Sequence, residues 1–252
     1  MSVDDSVYAA PESSLSRPVE GTARSLDDAM AGNWDFDIGD VLSEAWRVLA
    51  GSKGVIWIGL LIGGGANIAL QMIGSGFQVA MEDSPGAAIS ISLVLNMVGQ
   101  FIQTVATAGV YLYAIKRVAG DERAGLEDVT SAFSIALPLI GLSLLSGLIT
   151  GLGFLLLILP GIYLAVAYGM AVPLKIERGL DVWEAMETSR KTIQNQWFKV
   201  FGLNIVVFLA IIFGAMFTLG IGLIWLSPFA FLTSAVLYNR IFGYSGTDAT
   251  AG

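Results

Sequence analysis

Charged side chains are absent from four long stretches of the chain, and each stretch predicts helices that cross a membrane. A transmembrane helix needs about 20 consecutive apolar residues. The first two stretches hold one span each, at residues 54–76 and 88–115. The other two, residues 129–174 and 200–239, are each long enough for two spans, so each predicts a helical hairpin.

Glycine and proline mark the bends of the two predicted hairpins. Pro160 and Gly161 stand together in the third stretch, and Gly220 and Gly222 stand in the fourth. Both residue types interrupt helices, so the total is six spans. The alternative is four spans, with one long tilted helix in each later stretch. Six is favoured because a helix of about 40 residues would be about 60 Å long, twice the ~30 Å hydrocarbon core.

The positions of lysine and arginine predict the orientation in the membrane. The loop "QVAMEDSP" after the first span contains neither residue, and neither do the two predicted turns. With six spans, all 13 basic residues fall on the opposite side. Basic residues are enriched in cytoplasmic loops, so both termini are predicted to be cytoplasmic.

Three short amphipathic segments precede the predicted hairpins, at residues 37–49, 125–135 and 179–189. The first places its apolar residues at i, i+3, i+4, i+7, i+8 and i+11, which is one face of a helix. This pattern predicts cytoplasmic helices that lie in the membrane interface, where tryptophan is favoured at the depth of the headgroups. The tryptophans concerned are Trp34, Trp46, Trp183 and Trp197.

The three segments also resemble one another. When Ala45, Ala132 and Ala185 are aligned, apolar residues coincide three positions before them and one position after them. The unit predicted from this similarity is an interfacial helix followed by a membrane hairpin, repeated three times. The similarity is short, and any amphipathic helix would produce part of it.

Composition agrees with a membrane protein and excludes several kinds of site. The chain is 55% hydrophobic and 13% charged, whereas soluble domains carry about 25% charged residues. It has no cysteine and no histidine, which excludes thiol nucleophiles, histidine acid–base catalysis and zinc sites built on those residues. The net charge of −8 is unfavourable for binding nucleic acid. No metal and no cofactor is expected.

The ends of the chain differ in composition from its centre. Residues 1–34 are rich in Ser, Pro and Asp and have no apolar period, so they are predicted to be a disordered acidic tail. The six-span membrane domain is predicted at residues 35–243. Residues 244–252 are expected to form a short flexible C-terminal tail.

A polar stripe runs through the first two predicted spans. It has two interpretations: a hydrophilic path or ligand pocket between the spans, or hydrogen bonds that join two helices at glycine-rich contacts. No charged residue lies inside any predicted span, which argues against a proton-coupled transporter. The side chains of the stripe that form the candidate path are Asn67, Gln71, Asn96, Gln100 and Gln103.

Basic residues cluster on the predicted cytoplasmic side. They are expected to contact anionic lipid headgroups or an acidic partner, or to do no more than set the topology. The acidic residues at 177, 181, 184 and 187 lie along one solvated segment without histidine, so no catalytic role is predicted for them. The basic residues in question are Lys116, Arg117, Lys175, Arg178, Arg190, Lys191 and Lys199.

One segment resembles a known family. The stretch "LPGIYLAVAYGMAVPLKIERGLDVWEAMETSRKTIQNQWFKVFG" carries Pro160-Gly161-Ile162-Tyr163, Pro173, Glu177-Arg178-Gly179, Ala185 and Ser189. It resembles YciC-like bacterial inner-membrane proteins and is similar to the membrane domain fused to some glycerophosphodiester phosphodiesterases. The resemblance implies six spans in the bacterial cytoplasmic membrane. No phosphodiesterase activity is implied, because the catalytic domain is absent.

The sequence therefore predicts an all-α, polytopic membrane protein with six transmembrane helices in three hairpins. The expected function is a non-enzymatic one, in membrane organisation or protein interaction. Membrane lipids are the expected partners, together with a protein partner in the membrane or at the cytoplasmic face. The alternative is a permease or lipid-handling transporter that uses the polar stripe.

Overall fold

The computed structural model describes residues 23–246, and this part of the chain contains helices and no strands. A single 3₁₀ turn, Ala132–Ile135, lies between the fourth and fifth α-helices. The α-helices are α1 Leu26–Met30, α2 Ile38–Ala80, α3 Pro85–Ala119, α4 Leu126–Ser131, α5 Ala136–Leu156, α6 Ile158–Ala167, α7 Ala171–Arg178, α8 Val182–Gln194, α9 Trp197–Phe217 and α10 Leu223–Ile241. The prediction of an all-α chain is confirmed.

Five helical stretches in the described chain are long and apolar enough to cross a membrane. They are Ile38–Ala80, Pro85–Ala119, Leu126–Leu156, Ile158–Arg178 and Trp197–Phe217. The sixth predicted span corresponds to α10, which is not among them. Its last turn carries Asn239 and Arg240, and these two residues lower its hydropathy.

The first predicted interfacial helix does not exist as a separate element, because α2 runs unbroken for 43 residues. Its buried face continues from Val41 and Ala45 through Ser52 and Ile56 to Gly63. The apolar period of the 37–49 segment is therefore in phase with that of the first predicted span. Val41, Ala45 and Leu49 of the face predicted to lie in the membrane interface instead pack inside the protein, whereas Trp46 of the same face is 57% exposed.

Helices α2 and α3 pack antiparallel, and glycine brings their backbones close together. A Cβ on Gly63 would lie 3.0 Å from the Cα of Gln103, and a Cβ on Gly99 would lie 3.0 Å from the Cα of Asn67. Farther along, Gly74 lies against Ser92. The contact thus extends from the middle of both helices towards the turn at residues 81–84.

The bend in the third stretch lies three residues before the predicted position. Helix α5 ends at Leu156, α6 begins at Ile158, and Leu157 alone connects them in an extended conformation. Pro160 therefore lies in the first turn of α6, where its missing N–H costs no helical hydrogen bond. Gly161 lies against the ring of Phe154, so it serves close packing and not the turn.

The bend in the fourth stretch lies where it was predicted, but its surroundings differ from the prediction. Gly220 adopts a positive φ of 89° between α9 and α10. The carbonyl of Ile224, just after this turn, accepts a hydrogen bond from the indole of Trp57 at 2.9 Å. The ammonium of Lys53 lies 5.6 Å from the ring centroid of Trp225. The prediction that Lys53 and this turn lie on opposite sides is therefore wrong, and the α9–α10 turn reaches only the start of the first predicted span.

The other two predicted interfacial segments also bury their apolar faces in the protein. In the second segment, Val129 packs against Gly109 of α3. In α8, which contains the third segment, Ala185, Met186 and Ile193 are buried. The aligned Ala45, Ala132 and Ala185 are all fully buried.

The N-terminal residues of the described chain are ordered up to α2. Helix α1 lies beside α8, where Asn195 donates a hydrogen bond to the carbonyl of Met30 at 2.8 Å. Trp34 is 5% exposed and donates its indole N–H to the carbonyl of Ala29 at 3.0 Å. Trp34 is therefore packed inside the protein, and the predicted disordered tail does not extend to residue 34. Residues 1–22 of that tail lie outside the described residues.

The C-terminal segment 242–246 is also packed onto the helices. Phe242 and Tyr244 are buried, and the backbone N–H of Arg24 donates to the carbonyl of Phe242 at 2.7 Å. The start and the end of the described chain therefore touch. Residues 247–252 of the predicted flexible tail lie outside the described residues.

Candidate functional site

The polar stripe forms a compact amide cluster between α2 and α3. Asn67 is 5% exposed, and its side-chain nitrogen donates to Gln103 at 2.7 Å and to Gln100 at 3.3 Å. Gln71 donates to the side-chain oxygen of Asn67. Four of the five predicted residues are therefore hydrogen-bonded together across the helix contact.

Two separate clefts flank this amide cluster. One has a volume of about 370 Å³ and is lined by Gln71, Ser75, Gln78, Ser92 and Asn96, among others. The other has a volume of about 270 Å³ and includes Gln100, Gln103, Thr104, Thr107 and Ser143 in its lining. Asn96 thus lies outside the cluster, in the first cleft. The arrangement joins the two helices, as the second interpretation expected, and leaves polar groups on both sides of the contact.

Most of the predicted lipid-contacting cations have a carboxylate partner within the chain. Lys116 and Asp128 are both buried, and their charged atoms are 2.5 Å apart. Arg178 pairs with Glu177 at 2.7 Å, and Arg190 pairs with Glu187 at 2.8 Å. Lys191 also lies near Glu187, at 3.4 Å, and Lys199 pairs with Asp35.

Arg117 and Lys175 are the predicted cations for which the described residues provide no carboxylate partner. The guanidinium of Arg117 is exposed and lies over Gly51, where an added Cβ would be 2.7 Å from one of its nitrogens. The Lys175 side chain is mostly buried on α7. No internal carboxylate of the described chain therefore competes with an external anion for these two cations.

Glu177 is fully buried and forms the centre of a second polar cluster. Its carboxylate accepts hydrogen bonds from the Tyr238 hydroxyl at 2.6 Å and from the Arg178 guanidinium at 2.7 Å. It also accepts from the backbone N–H and the hydroxyl of Ser245, at 2.7 and 2.5 Å. Every donor around this carboxylate belongs to α7, α10 or the C-terminal segment, so its function is to join them.

Asp121 holds the same C-terminal segment from the loop after α3. Burial raises the pKa of Asp121, but hydrogen bonds from Arg123 and from the Tyr244 hydroxyl lower it more, so the pKa lies below its usual value. The Tyr244 hydroxyl donates to Asp121 at 3.1 Å. No local sequence pattern predicts the pairing of Asp121 with Tyr244 or that of Glu177 with Tyr238, because the partners are more than 60 residues apart.

The exposed face of α8 has one strong ion pair. Hydrogen bonds from the Arg190 guanidinium hold the pKa of Glu187 below its usual value, against a smaller effect of burial. The distances are 2.9 and 2.8 Å. Glu187 is therefore ionised at neutral pH and is held by a cation, which fits a structural carboxylate and not a general acid.

A large groove that the sequence did not indicate lies between α6 and the start of α9. Its volume is about 1030 Å³. The lining is mostly apolar and includes Leu159, Ile162, Tyr163, Phe198 and Phe201. Trp197 also lines it, and the polar lining residues, Gln194, Asn195, Gln196 and Lys199, come from the α8–α9 junction.

Aromatic stacking shapes one wall of this groove. The ring of Trp197 stacks on Phe201 with centroids 4.9 Å apart, and on Tyr163 at 5.9 Å. The Trp197 indole also donates to the carbonyl of Tyr163 at 3.2 Å. Beside this wall, the ring of Phe198 is 84% exposed. Aromatic residues at 197, 198 and 201 were the only available signal, and it does not distinguish a groove from ordinary packing.

The described residues contain no group of three or more acidic side chains that could hold a metal ion. In comparisons with known proteins, the chain matches no family model, no curated protein and no solved structure.

Proposed function

We propose that the chain is a non-enzymatic, multi-pass protein of the bacterial cytoplasmic membrane that binds phospholipid at the charged end of its helices and docks partners there. The observation that carries this proposal is the groove between α6 and α9. The groove has apolar walls and a polar opening that includes Lys199. Such walls suit the acyl chains of a phospholipid, and such an opening suits its headgroup.

Contacts between helix ends support a multi-pass bundle with both ends of the described chain on one side. Arg240, at the end of α10, pairs with Glu44 near the start of α2 at 2.7 Å. Asn239 donates to the carbonyl of Ile115 near the end of α3 at 3.0 Å. Arg178, at the end of α7, donates to the carbonyl of Phe242 at 2.6 Å. The chain thus returns to one end after α3, after α7 and after α10, and α10 is sheltered from lipid by its contacts with α2 and α3.

The cytoplasmic assignment of this end rests on charge. The ion pairs and the cations Arg117 and Lys175 all belong to it, and basic residues favour the cytoplasmic side. The resemblance of residues 159–202 to YciC-like proteins supports the same location. The α9–α10 turn lies beside Lys53, at the start of the first predicted span. Helices α9 and α10 would therefore enter the membrane less deeply than α2 and α3.

Lipid is favoured over a soluble ligand because of where the groove opens. Helix α9 exposes apolar side chains along its length, including Phe208, Phe213 and Phe217. A surface of this kind is stable only in contact with lipid or protein. A phospholipid at the groove would place an acyl chain against Ile162 and Phe198 and its headgroup at Lys199 and Asn195.

The test is retention of phospholipid in native mass spectrometry after purification in mild detergent. Ile162→Trp fills the groove and is expected to abolish the retained lipid. Leu148→Trp is the matched control, because Leu148 is 61% exposed on α5 and does not line the groove. Equal lipid retention by the wild type and by Ile162→Trp would overturn the proposal.

Quenching of Trp197 by phospholipids brominated on the acyl chain provides a second readout. The fluorescence lost in Trp197→Phe is assigned to Trp197, and this fraction is expected to be quenched more strongly than the remaining five tryptophans.

Arg117→Ala and Lys175→Ala together should lower the preference for anionic over zwitterionic vesicles. An unchanged preference would mean that these two cations, which do not line the groove, make no contact with anionic headgroups.

A permease or lipid-handling transporter is the second candidate, and the two polar clefts beside the amide cluster favour it. Solute flux into liposomes would be compared between the wild type and the double variant Asn96→Leu/Gln100→Leu. A flux that the double variant reduces at equal protein content would support a polar path. Equal flux in both would exclude the stripe from transport.

A further inference from the structure

The outer part of the α2–α3 pair, residues 68–80 and 85–97, stands apart from the other helices. Among the hydrogen bonds and ring contacts of the described chain, none joins these residues to a helix other than α2 or α3. Large apolar side chains on this segment are exposed, among them Met72 at 70% and Leu93 at 61%. In a membrane protein, this segment would project into the lipid.

One face of this outer segment is polar although it would lie in lipid. Gln71, Gln78 and Asn96 are exposed there and line the cleft of about 370 Å³ together with Ser75 and Ser92. The side-chain amides of Gln78 and Asn96 have no hydrogen-bond partner among the described residues. Asn96 lies inside the predicted span 88–115, whereas Gln78 is the first residue of the loop beyond the other span. An amide that faces hydrocarbon without a partner costs several kcal/mol, so the part of this face around Asn96 needs a polar cover.

We propose that a second copy of this chain covers the face, so that the protein is a homodimer through the amide faces of two α2–α3 pairs. A side-chain amide is both donor and acceptor, so two identical amide faces are complementary to each other. No charged residue lies between Gly54 and Met81 or between Ser84 and Ile115. A charged ligand or a charged partner helix would therefore find no counter-charge on this face.

The geometry of the pair suits a two-fold interface. Two copies in one membrane share the same orientation, so the two-fold axis is perpendicular to the membrane plane. This axis brings residues of equal depth together. The antiparallel register that places Gly99 beside Asn67 and Gly74 beside Ser92 also places Asn96 level with Gln71. Each amide then meets amides of the other copy, and Gly74, Ser75 and Ser92 allow the helices to approach closely.

The proposal rests on the proposed membrane location, and its test is built to separate the two. Extraction of membranes with alkaline carbonate comes first: protein that remains in the pellet is integral, whatever its oligomeric state. The chain has no cysteine, so an interchain disulfide must form between the two copies of the one cysteine that is introduced. Ser75→Cys on the amide face is expected to form an interchain disulfide in membranes under mild oxidation.

Val94→Cys is the matched control, because Val94 is 60% exposed on the opposite face of α3. It is expected to cross-link at least tenfold more slowly than Ser75→Cys. Replacing Gln78 and Asn96 together by leucine should reduce Ser75→Cys cross-linking at least fivefold, whereas Asn96→Gln should preserve it. Equal rates for Ser75→Cys and Val94→Cys, in protein that resists carbonate, would overturn the dimer and leave the membrane location standing.

The mass of the intact complex in lipid nanodiscs provides the second measurement. Two copies per disc are expected for the wild type and one copy for the double leucine variant. One copy per disc for the wild type, or co-purification of a different protein that protects Ser75→Cys, would also overturn the proposal.

Discussion

The carboxylate of Glu177 on α7 accepts a hydrogen bond from the hydroxyl of Tyr238 on α10 at 2.6 Å. The same carboxylate accepts two hydrogen bonds from Ser245 and one from Arg178. The last turn of α7 therefore contributes a buried carboxylate that joins this helix to the C-terminal segment 242–246. This arrangement assigns Glu177 a structural role and explains why an acidic residue lies between apolar helices.

Replacing Glu177 with alanine should strongly destabilise the protein. The change removes all four acceptor contacts and leaves the buried Tyr238 hydroxyl without the carboxylate. The expected loss is about 3 kcal/mol in the free energy of unfolding. Tyr238→Phe removes one of the four donors, so a smaller loss of about 1.5 kcal/mol is expected.

Unfolding in mixed micelles with increasing SDS measures both values. Glu184→Ala is the control, because Glu184 is exposed on α8 and has no ion pair in the described chain. It should be within about 0.5 kcal/mol of the wild type. If Glu177→Ala behaves like Glu184→Ala, the carboxylate does not hold the C-terminal segment.

The buried pair of Lys116 and Asp128 leads to a second prediction. Asp128→Ala removes the carboxylate that lies 2.5 Å from the Lys116 ammonium and the acceptor for the backbone N–H of Gly125. Breaking a buried ion pair in this way costs about 3–5 kcal/mol. Lys116→Met/Asp128→Leu replaces both charges with apolar side chains and should recover most of that loss.

The same unfolding measurement tests this pair as a double-mutant cycle, with Lys116→Met and Asp128→Leu made singly and together. The single changes are expected to be non-additive by at least about 1.5 kcal/mol. Additive losses would mean that the two charges do not interact in the folded protein.

The sequence was a good guide to the long helices and a poor one to their surroundings. Uncharged stretches of about 20 residues reflect a requirement of the lipid, so α3 and α9 were found close to their true positions. The separate helix at 37–49 was wrong because a polar stretch does not end a helix. Gly51 and Gly54 lie inside α2, and the buried positions keep the same period through them.

The same contrast holds for the candidate sites: local patterns indicated one of them, and long-range contacts determine the others. The amide cluster was visible because Asn67 and Gln71, like Gln100 and Gln103, repeat at helical spacing within one predicted span. The groove depends on the separation between α6 and α9, and the ion pair of Lys199 with Asp35 joins residues 164 positions apart. Local patterns carry no information about either. Burial of Trp34 was missed for a similar reason, since its partner is a backbone carbonyl, which every residue has.

Gly109 leads to a third prediction, which concerns packing. A Cβ on Gly109 would lie 2.3 Å from the carbonyl oxygen of Val129 and 2.6 Å from its Cα. Gly109→Ala must therefore push α4 away from α3, because backbone atoms cannot rotate aside as a side chain does. A loss of about 2–3 kcal/mol is expected, the size of typical overpacking.

Gly147→Ala is the matched control for this change. Gly147 also lies within a helix, but an added Cβ would meet nothing within 4 Å. This variant should be neutral or more stable by about 0.5–1 kcal/mol, because alanine favours a helix over glycine. Thermal unfolding of both variants in the same detergent decides the point, and a neutral Gly109→Ala would refute the contact between α3 and α4.

The last prediction concerns pH and follows from the environment of Asp121. Burial raises the pKa of this carboxyl, but hydrogen bonds from Arg123 and Tyr244 outweigh it and lower the pKa below its usual value. A group whose pKa is lowered on folding stabilises the protein fully above its unfolded pKa, which is about 3.9 for aspartate. The stabilisation is then lost as the pH falls through the lower pKa of the folded state.

Asp121 should therefore contribute a constant increment between pH 7 and about pH 5 and a shrinking one below about pH 4. Asp35 and Glu187 also have lowered pKa values, so the stability of the wild type alone does not isolate Asp121. The difference between the wild type and Asp121→Asn does isolate it. We expect this difference to be flat above about pH 5 and to narrow on further acidification. A difference that stays constant down to pH 3, or that widens, would mean that the Asp121 carboxylate is not preferentially ionised in the folded protein.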